Sequence, residues 1–345
     1  MNELPVTQES PSRTAGIPGS PESGRVSPQK DPVVGRFAPS PSGRMHLGNI
    51  YTAVAAWLCA KSAGGQYLLR MEDLDAMRCP MEFADLILSD MEWLGLTWDN
   101  EEIPYQSGRA PIYEEYFRKL SEAGLLYPCF FSRAQLHVAE APHTSDGRVI
   151  YQRTCRGLTA EEVEERRKSR SPATRLILPH ERLSFTDLQY GPREYVLDED
   201  WGDIIIRRSD GVFAYQLAVT IDDGLMGVNQ VVRGRDLLSS AAPQLYLFKL
   251  LGFRQPDYLH LPLLLAEDSS RLSKRDRAVD VGFLREQFPS PEPLIGYIGY
   301  LLGQLESPEA LTLPELLSVF DRKKIPGDDI VIPGKYWENL SVQTP

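Results

Sequence analysis

Two stretches of this chain carry side chains suited to holding phosphate. The first runs from Gly35 to Asn49, where Gly43 and Gly48 bracket His46. Val33 and Val34 begin an apolar run that reads as a buried strand, and Ile50 to Ala63 repeats small and apolar residues at helical spacing. Strand, glycine-containing turn and helix start make an anion site, because the first N–H groups of a helix lack intrahelical partners and point outward. Glycine lets a ligand approach the backbone, and His46 adds an imidazole at the same place. The second stretch is Arg271-Leu272-Ser273-Lys274-Arg275, after an apolar run from Leu259 to Leu265 and a polar loop from Ala266 to Ser270. Taken alone, the first is equally a proline-rich turn with a surface histidine, and the second a solvated basic loop.

The elements that must position these groups follow an α/β rhythm. Val33 to Asp75 reads strand, helix, strand, and the second strand, Tyr67 to Met71, ends in Glu72-Asp73-Leu74-Asp75. Acids just past the C-terminal end of a parallel strand sit where open α/β sheets bind ligands. Met81 to Leu94 and Ile112 to Ala123 read as amphipathic helices, the second closed by Gly124. Leu125 to Arg156 breaks the rhythm and contains Cys129, His137, His143, Tyr151 and Cys155. Thr159-Ala160-Glu161-Glu162 is a capping box that opens a charged helix. Strands are predicted over Thr174 to Leu178 and Asp203 to Arg207. Ser209-Asp210-Gly211 then reads as a hairpin turn into a strand over Val212 to Val219 that carries Tyr215. Gln230 to Arg233 reads as a buried strand, Ala241 to Leu251 as a helix ending at Gly252, and Leu259 to Leu265 as the last strand. Helices are predicted over Val281 to Gln287, Leu294 to Leu305 and Leu313 to Phe320.

The chain has 345 residues, 42% hydrophobic and 25% charged, which suits a globular protein. No apolar run approaches the roughly 18 residues needed to span a bilayer. Four scattered cysteines do not make a secreted disulfide scaffold, so a reducing cytoplasm is expected. The net charge of −11 argues against a general polyanion binder, though not against a nucleic acid held by a local patch. The cluster Arg166, Arg167, Lys168, Arg170 and Arg175 lies beside Glu161 to Glu165 and reads as charge pairing on a solvated helix. Residues 1–32 hold six prolines and no apolar periodicity and read as a disordered tail.

Paired, the two phosphate-binding stretches resemble the two signatures of class I aminoacyl-tRNA synthetases. Arg36-Phe37-Ala38-Pro39-Ser40-Pro41-Ser42-Gly43, Leu69-Arg70-Met71-Glu72-Asp73-Leu74-Asp75 and Val232-Arg233-Gly234-Arg235-Asp236 look like the glutamyl-tRNA synthetase family within that class. The resemblance runs from about Val34 to Asp276. It implies an α/β, Rossmann-like nucleotide-binding catalytic domain over 33–276, with a connective insertion at about 125–172 and a helical stem over 277–345. The 69 residues after Asp276 are too few for the family's anticodon-binding domain.

The resemblance also implies a chemistry: glutamate and ATP, with Mg2+, give glutamyl-adenylate and pyrophosphate. His46, Asn49 and Lys274 are then the catalytic groups. Pro39, Gly43, Gly48, Asp236 and Ser273 join them around ATP. Arg36, Phe37, Ala38, Pro39, Ser40, Glu72, Tyr215 and Arg233 surround glutamate. Arg36 and Arg233 present forked donors that match a carboxylate, Glu72 takes the ammonium, Ser40 a carboxylate oxygen, and Tyr215 walls the substrate. Asn49 stands where the family's first signature has a second histidine. A chain of this length resembles the family's short paralogues that attach glutamate to the queuosine base in the anticodon of tRNA(Asp). A truncated synthetase charging a tRNA 3′ end, and an inactive RNA-binding paralogue, are the alternatives. A monomer without membrane attachment is expected. In the insertion the family carries a zinc site of the form Cys-x-Cys then Tyr-x-x-x-Cys. Cys129, Tyr151 and Cys155 match it, while Phe131 stands at the second cysteine. A tetrahedral zinc site needs four donors, which would leave His137 or His143 to complete the set.

Overall fold

The computed structural model describes residues 31–131, 150–270 and 280–340. The tail over 1–30, His137, His143, Ser273 and Lys274 lie outside the described residues. The chain begins with β1 (Val34–Phe37), α1 (Leu47–Ser62), β2 (Gln66–Leu69), α2 (Met81–Trp93), α3 (Ala110–Glu122) and β3 (Leu126–Cys129). After the insertion come α4 (Ala160–Arg167), β4 (Ala173–Leu176), β5 (Arg182–Asp187), β6 (Gly191–Val196), α5 (Leu197–Asp200) and β7 (Ile204–Arg207). Then follow α6 (Tyr215–Leu225), β8 (Gln230–Gly234), α7 (Ala241–Leu251), β9 (Asp257–Leu261) and β10 (Leu264–Leu265). The stem comprises α8 (Val281–Gln287), α9 (Glu292–Leu301), α10 (Leu313–Val319) and β11 (Ile330–Val331).

Two parallel pairs frame the site. β1 lies parallel to β2, Val34 opposite Gln66, with α1 as the crossover. β8 lies parallel to β9, Arg233 opposite His260, with α7 between them in sequence. The two pairs meet at Val34, whose N–H donates to the Asn229 side chain at 2.8 Å and whose carbonyl accepts the Asn229 N–H at 3.0 Å. The second pair belongs to a four-stranded sheet in the order β6-β5-β9-β8, and β3, β4 and β7 form an antiparallel sheet of their own.

Helix α1 is buried on nearly every side because its residues are small or apolar, from Ile50 and Ala53 to Leu58 and Ala60. The strands cover one flank. Leu294, Ile298, Leu313 and Leu316 of the stem join the same core on the other. The stem thus seals the helix whose first turn faces the candidate site.

Three readings change. The strand expected over Val212 to Val219 is the start of α6, and Tyr215 is its first helical residue. Only Phe213 pairs like a hairpin, in a single bridge to Arg207. Leu217 to Ile221 is buried all round and apolar but for Thr220, and such a run does not distinguish strand from helix by its period. The run expected from Leu259 to Leu265 is two strands, interrupted at Pro262, which has no N–H for a ladder. The hairpin β5–β6 was not anticipated. Its signal is the alternation from Arg182 to Asp187, followed by Gly191 at φ +73°, a conformation that glycine adopts readily.

Candidate active site

The C-terminal ends of β1, β2 and β8 open into one cavity of about 460 Å3. Arg36 to Ser40 line it from β1 and the turn beyond, with Gly43, His46 and Asn49 at the start of α1. Glu72 comes from the segment after β2, Tyr215 from the first turn of α6, and Arg233 and Gly234 from the end of β8. Residues far apart in sequence thus converge, because parallel strands deliver their C-terminal ends to the same edge.

His46 is the N-cap of α1. Its Nδ1 accepts the Gly48 N–H at 3.2 Å, and the Asn49 side-chain oxygen accepts the His46 N–H at 3.1 Å. Asn49 therefore closes a capping box, a structural task the sequence did not reveal. Gly48 does not line the cavity, and its N–H is turned to the imidazole rather than held open for an anion. Its missing side chain still matters, since a Cβ there would lie 3.2 Å from the His46 ring. Asp236 is exposed and lies outside the lining, next to Gly234, where a Cβ would meet its carboxylate at 2.5 Å.

Beneath the cavity lies a buried ionic network that sequence reasoning missed. Arg36 donates from Nε to both oxygens of Asp223, at 3.3 and 3.4 Å. Arg70, fully buried, gives Nη1 to Asp223 at 2.8 Å and Nη2 to Glu72 at 3.0 Å. Asp222 takes Gln106, Arg109 and the Tyr113 hydroxyl at 2.7 to 2.8 Å. The signal was present: two adjacent acids inside an apolar helical run, and a charge inside the alternation of a buried strand. Burial raises the Glu72 carboxyl above its ordinary range, with Arg70 and Arg36 pulling the other way. For Asp223 the attraction of Arg36 and Arg70 overcomes burial, and its carboxyl is lowered.

Arg233 has a different environment. It is 5% exposed, and it donates to His260 Nε2 at 3.0 Å, Gln244 Oε1 at 2.8 Å and the Leu237 carbonyl at 3.1 Å. Among the described residues no carboxylate lies within ion-pair distance of it. A buried guanidinium with only neutral acceptors is a site prepared for an anion.

The insertion brings Cys129, Tyr151 and Cys155 together, but around a cation of the protein's own. Arg175 donates from Nε to Cys129 Sγ at 3.1 Å, and its guanidinium carbon lies 3.9 Å from the Tyr151 ring centroid. The Tyr151 oxygen accepts the Cys155 N–H at 2.7 Å, and the Phe131 ring meets Tyr151 edge-on. The described part of this set does not fit zinc, because a phenyl ring stands at one position and a guanidinium contacts the Cys129 thiol, which leaves only Tyr151 and Cys155. Among the described residues no cluster of three His, Cys, Asp or Glu side chains is placed to hold a metal. Tyr127, Phe130, Leu158 and Ile177 complete a small separate core, so apolar packing holds this part of the insertion.

Comparisons with known proteins agree with this geometry. The family described as tRNA synthetases class I (E and Q), catalytic domain, matches residues 32–321. The glutamyl-Q tRNA(Asp) synthetase of Symbiobacterium thermophilum is 45% identical over 90% of this chain and 98% of that protein. Glutamate–tRNA ligase 2 of Alkalilimnicola ehrlichii is 41% identical over 83% of this chain but only 62% of its own length. The crystal structure of a glutamate tRNA ligase from Elizabethkingia meningosepticum, in complex with its amino acid, superposes with a TM-score of 0.76 at 26% identity, covering 90% of this chain and 69% of that one. With its parallel strand ends, histidine-capped first helix and stem on an α/β core, the chain belongs to the class I tRNA synthetases (E and Q), as a catalytic domain of that family.

Proposed function

We propose that this protein activates glutamate with ATP and transfers the glutamyl group to the queuosine base in the anticodon of tRNA(Asp). The observation that carries the amino-acid half is the pairing of Glu72 and Arg233 on one cavity. An amino acid with a second carboxylate finds an acid for its ammonium and a guanidinium without an anion for its side chain. Arg36 adds donors beside it, Ser40 reaches an α-carboxylate oxygen, and Tyr215 walls the pocket. The α-carboxylate oxygen attacks the α-phosphate of ATP and pyrophosphate leaves; Mg2+ accompanies the nucleotide. His46 and Asn49 border the phosphate end at the start of α1, and Lys274 is assigned to the leaving pyrophosphate. Catalysis of this kind is mostly positioning and neutralising of phosphate charge. The RNA half is supported by the relatives: the glutamyl-Q tRNA(Asp) synthetases of Symbiobacterium thermophilum and Nitratidesulfovibrio vulgaris are 45% and 41% identical to this chain over 90% of it.

The test is incubation of bulk tRNA with enzyme, ATP and labelled glutamate, followed by nuclease digestion and mass spectrometry of the fragments. Label in the anticodon fragment of tRNA(Asp) is expected. Label on 3′-terminal adenosine would assign the chain to conventional charging instead.

A further inference from the structure

Arg233 does not stand alone: three neighbouring strands set Asp187, His260 and Arg233 in a row. β5 lies parallel to β9 with Asp187 opposite Tyr258, and β9 lies parallel to β8 with His260 opposite Arg233. Asp187 Oδ2 lies 2.6 Å from His260 Nδ1, and His260 Nε2 lies 3.0 Å from Arg233 Nε. Asp187 and His260 are 1% and 0% exposed, so water does not compete for these bonds. The other carboxylate oxygen of Asp187 accepts the backbone N–H groups of Gln189 and Tyr190 at 3.0 and 2.9 Å, just past the end of β5.

This arrangement fixes the protons. A guanidinium has donors only, so the nitrogen facing Arg233 must offer a lone pair, and the proton of a neutral imidazole sits on Nδ1, toward Asp187. Burial, together with the charge of Arg233, lowers the His260 imidazole to about 4 despite the opposing pull of Asp187, which keeps that lone pair available at neutral pH. Arg233 has five N–H donors. Three are taken by His260, Gln244 and Leu237, which leaves one on each terminal nitrogen. A carboxylate accepts two N–H groups in a forked pair.

We propose that His260, held in its Nδ1–H tautomer by Asp187, is a positioning residue that aims the Arg233 fork at the side-chain carboxylate of the substrate and so sets selection of an acidic over an amide side chain. The inference rests on the proposed reading of Arg233 as the glutamate side-chain group. Neither Asp187 nor His260 lines the cavity. They act through Arg233, fixing the plane and rotation of its guanidinium without adding a charge that would repel it.

Asp187→Asn tests this with almost no change in shape. The introduced amide would keep its carbonyl oxygen on the two backbone N–H groups, which need an acceptor, and present its NH2 to His260. The imidazole must then accept at Nδ1 and carry its proton on Nε2, where it faces the Arg233 Nε–H, donor against donor. Pyrophosphate exchange should show the KM for glutamate raised about 10- to 100-fold, the scale of one lost hydrogen bond to a charged group. Turnover at saturating glutamate and the KM for ATP should stay within about threefold, and the preference for glutamate over glutamine should narrow. His260→Leu should behave alike. His260→Gln, which can accept from Arg233 and donate to Asp187, should recover most of the loss. Arg233→Ala separates the two layers. If it leaves glutamate use intact, the pocket reading itself is wrong. If it removes glutamate use while Asp187→Asn and His260→Leu keep the wild-type KM, the positioning role alone is overturned. A fall in turnover and in ATP affinity together, equal in all three Asp187 and His260 variants, would show a merely structural role and overturn it too.

Discussion

Replacing Asp223 with asparagine removes one negative charge from a place that has none to spare. Asp223 is 3% exposed and is shared by Arg36 and Arg70, at 3.3 and 2.8 Å. The network beneath the cavity sets the guanidinium groups of Arg36, Arg70 and Arg109 against the carboxylates of Glu72, Asp222 and Asp223. In Asp223→Asn three cations face two anions, and an NH2 group can point at a guanidinium. Breaking one partner out of a buried ion pair typically costs about 3–5 kcal/mol, because the remaining charge stays buried and unpaired. At roughly 2 °C per kcal/mol for a chain of this size, the melting temperature should fall by about 6–10 °C. Arg36 also loses the carboxylate that orients it, so the glutamate KM should rise. Urea unfolding at pH 7 measures the first effect and glutamate-dependent pyrophosphate exchange the second. The double variant Arg36→Met/Asp223→Asn should regain part of the stability, since no cation is left over, while glutamate use stays impaired. A loss below about 1 kcal/mol with an unchanged KM would refute the view that this network holds Arg36.

Two further outcomes follow from the site. Gly48→Ala puts a methyl group 3.2 Å from the His46 ring, so the ring must shift by a few tenths of an ångström. Pyrophosphate exchange should slow about tenfold or more with little change in glutamate KM, and wild-type turnover would show that the position of this imidazole is not critical. His260 is fully buried, and its imidazole is lowered from 6.5 to about 4 by burial and by Arg233. The unfolded chain binds that proton below about pH 6.5 and the folded one does not, so this stability is present above pH 6.5 and lost as the pH falls toward 4. The full window corresponds to about 3 kcal/mol. The partner carboxyl of Asp187 is lowered despite its burial, so its own contribution is lost only in more acid solution. Urea unfolding between pH 7 and 4.5 should therefore show a shallower pH dependence in His260→Gln than in wild type; identical slopes would sink the assignment.

What could be read from the chain was local. The histidine–glycine turn, the strand ends at Arg36, Glu72 and Arg233, and the stem helices follow from spacing and residue type within a dozen positions. What could not be read depends on partners supplied from elsewhere. Asp222 and Asp223 lie just past the run read as a strand over Val212 to Val219, and none of the side chains that pair with them is near in sequence. The network that accepts them comes from β1, β2 and α3. Asn49 looked like a weakened phosphate ligand, while its oxygen is taken by the backbone of His46. Cys129, Tyr151 and Cys155 lie in the predicted neighbourhood, but only the antiparallel pairing of β3 with β4 brings Arg175 among them.

The two arginines assigned to the substrate side chain are not equivalent, and this bears on how glutamate is told from glutamine. Arg36 is already paired with Asp223, so it brings directed donors to the cavity with little net charge. Arg233 is surrounded by neutral acceptors, so its charge is matched by nothing among the described residues. Glutamate carries one net negative charge and glutamine none. On the proposed reading, the ammonium of glutamate meets Glu72, whose carboxyl is raised by burial and would gain from a cation, and the side chain of glutamate neutralises Arg233. When glutamine binds, the Arg233 charge remains unmatched in a desolvated pocket, and the amide NH2 sets donor against donor. Sites that leave such groups unpaired can reject the wrong substrate by roughly ten-thousandfold. The proposed pocket therefore places the discrimination mainly on Arg233, which has no carboxylate partner among the described residues, and gives Arg36 the task of aligning the carboxylate once the charge has been met.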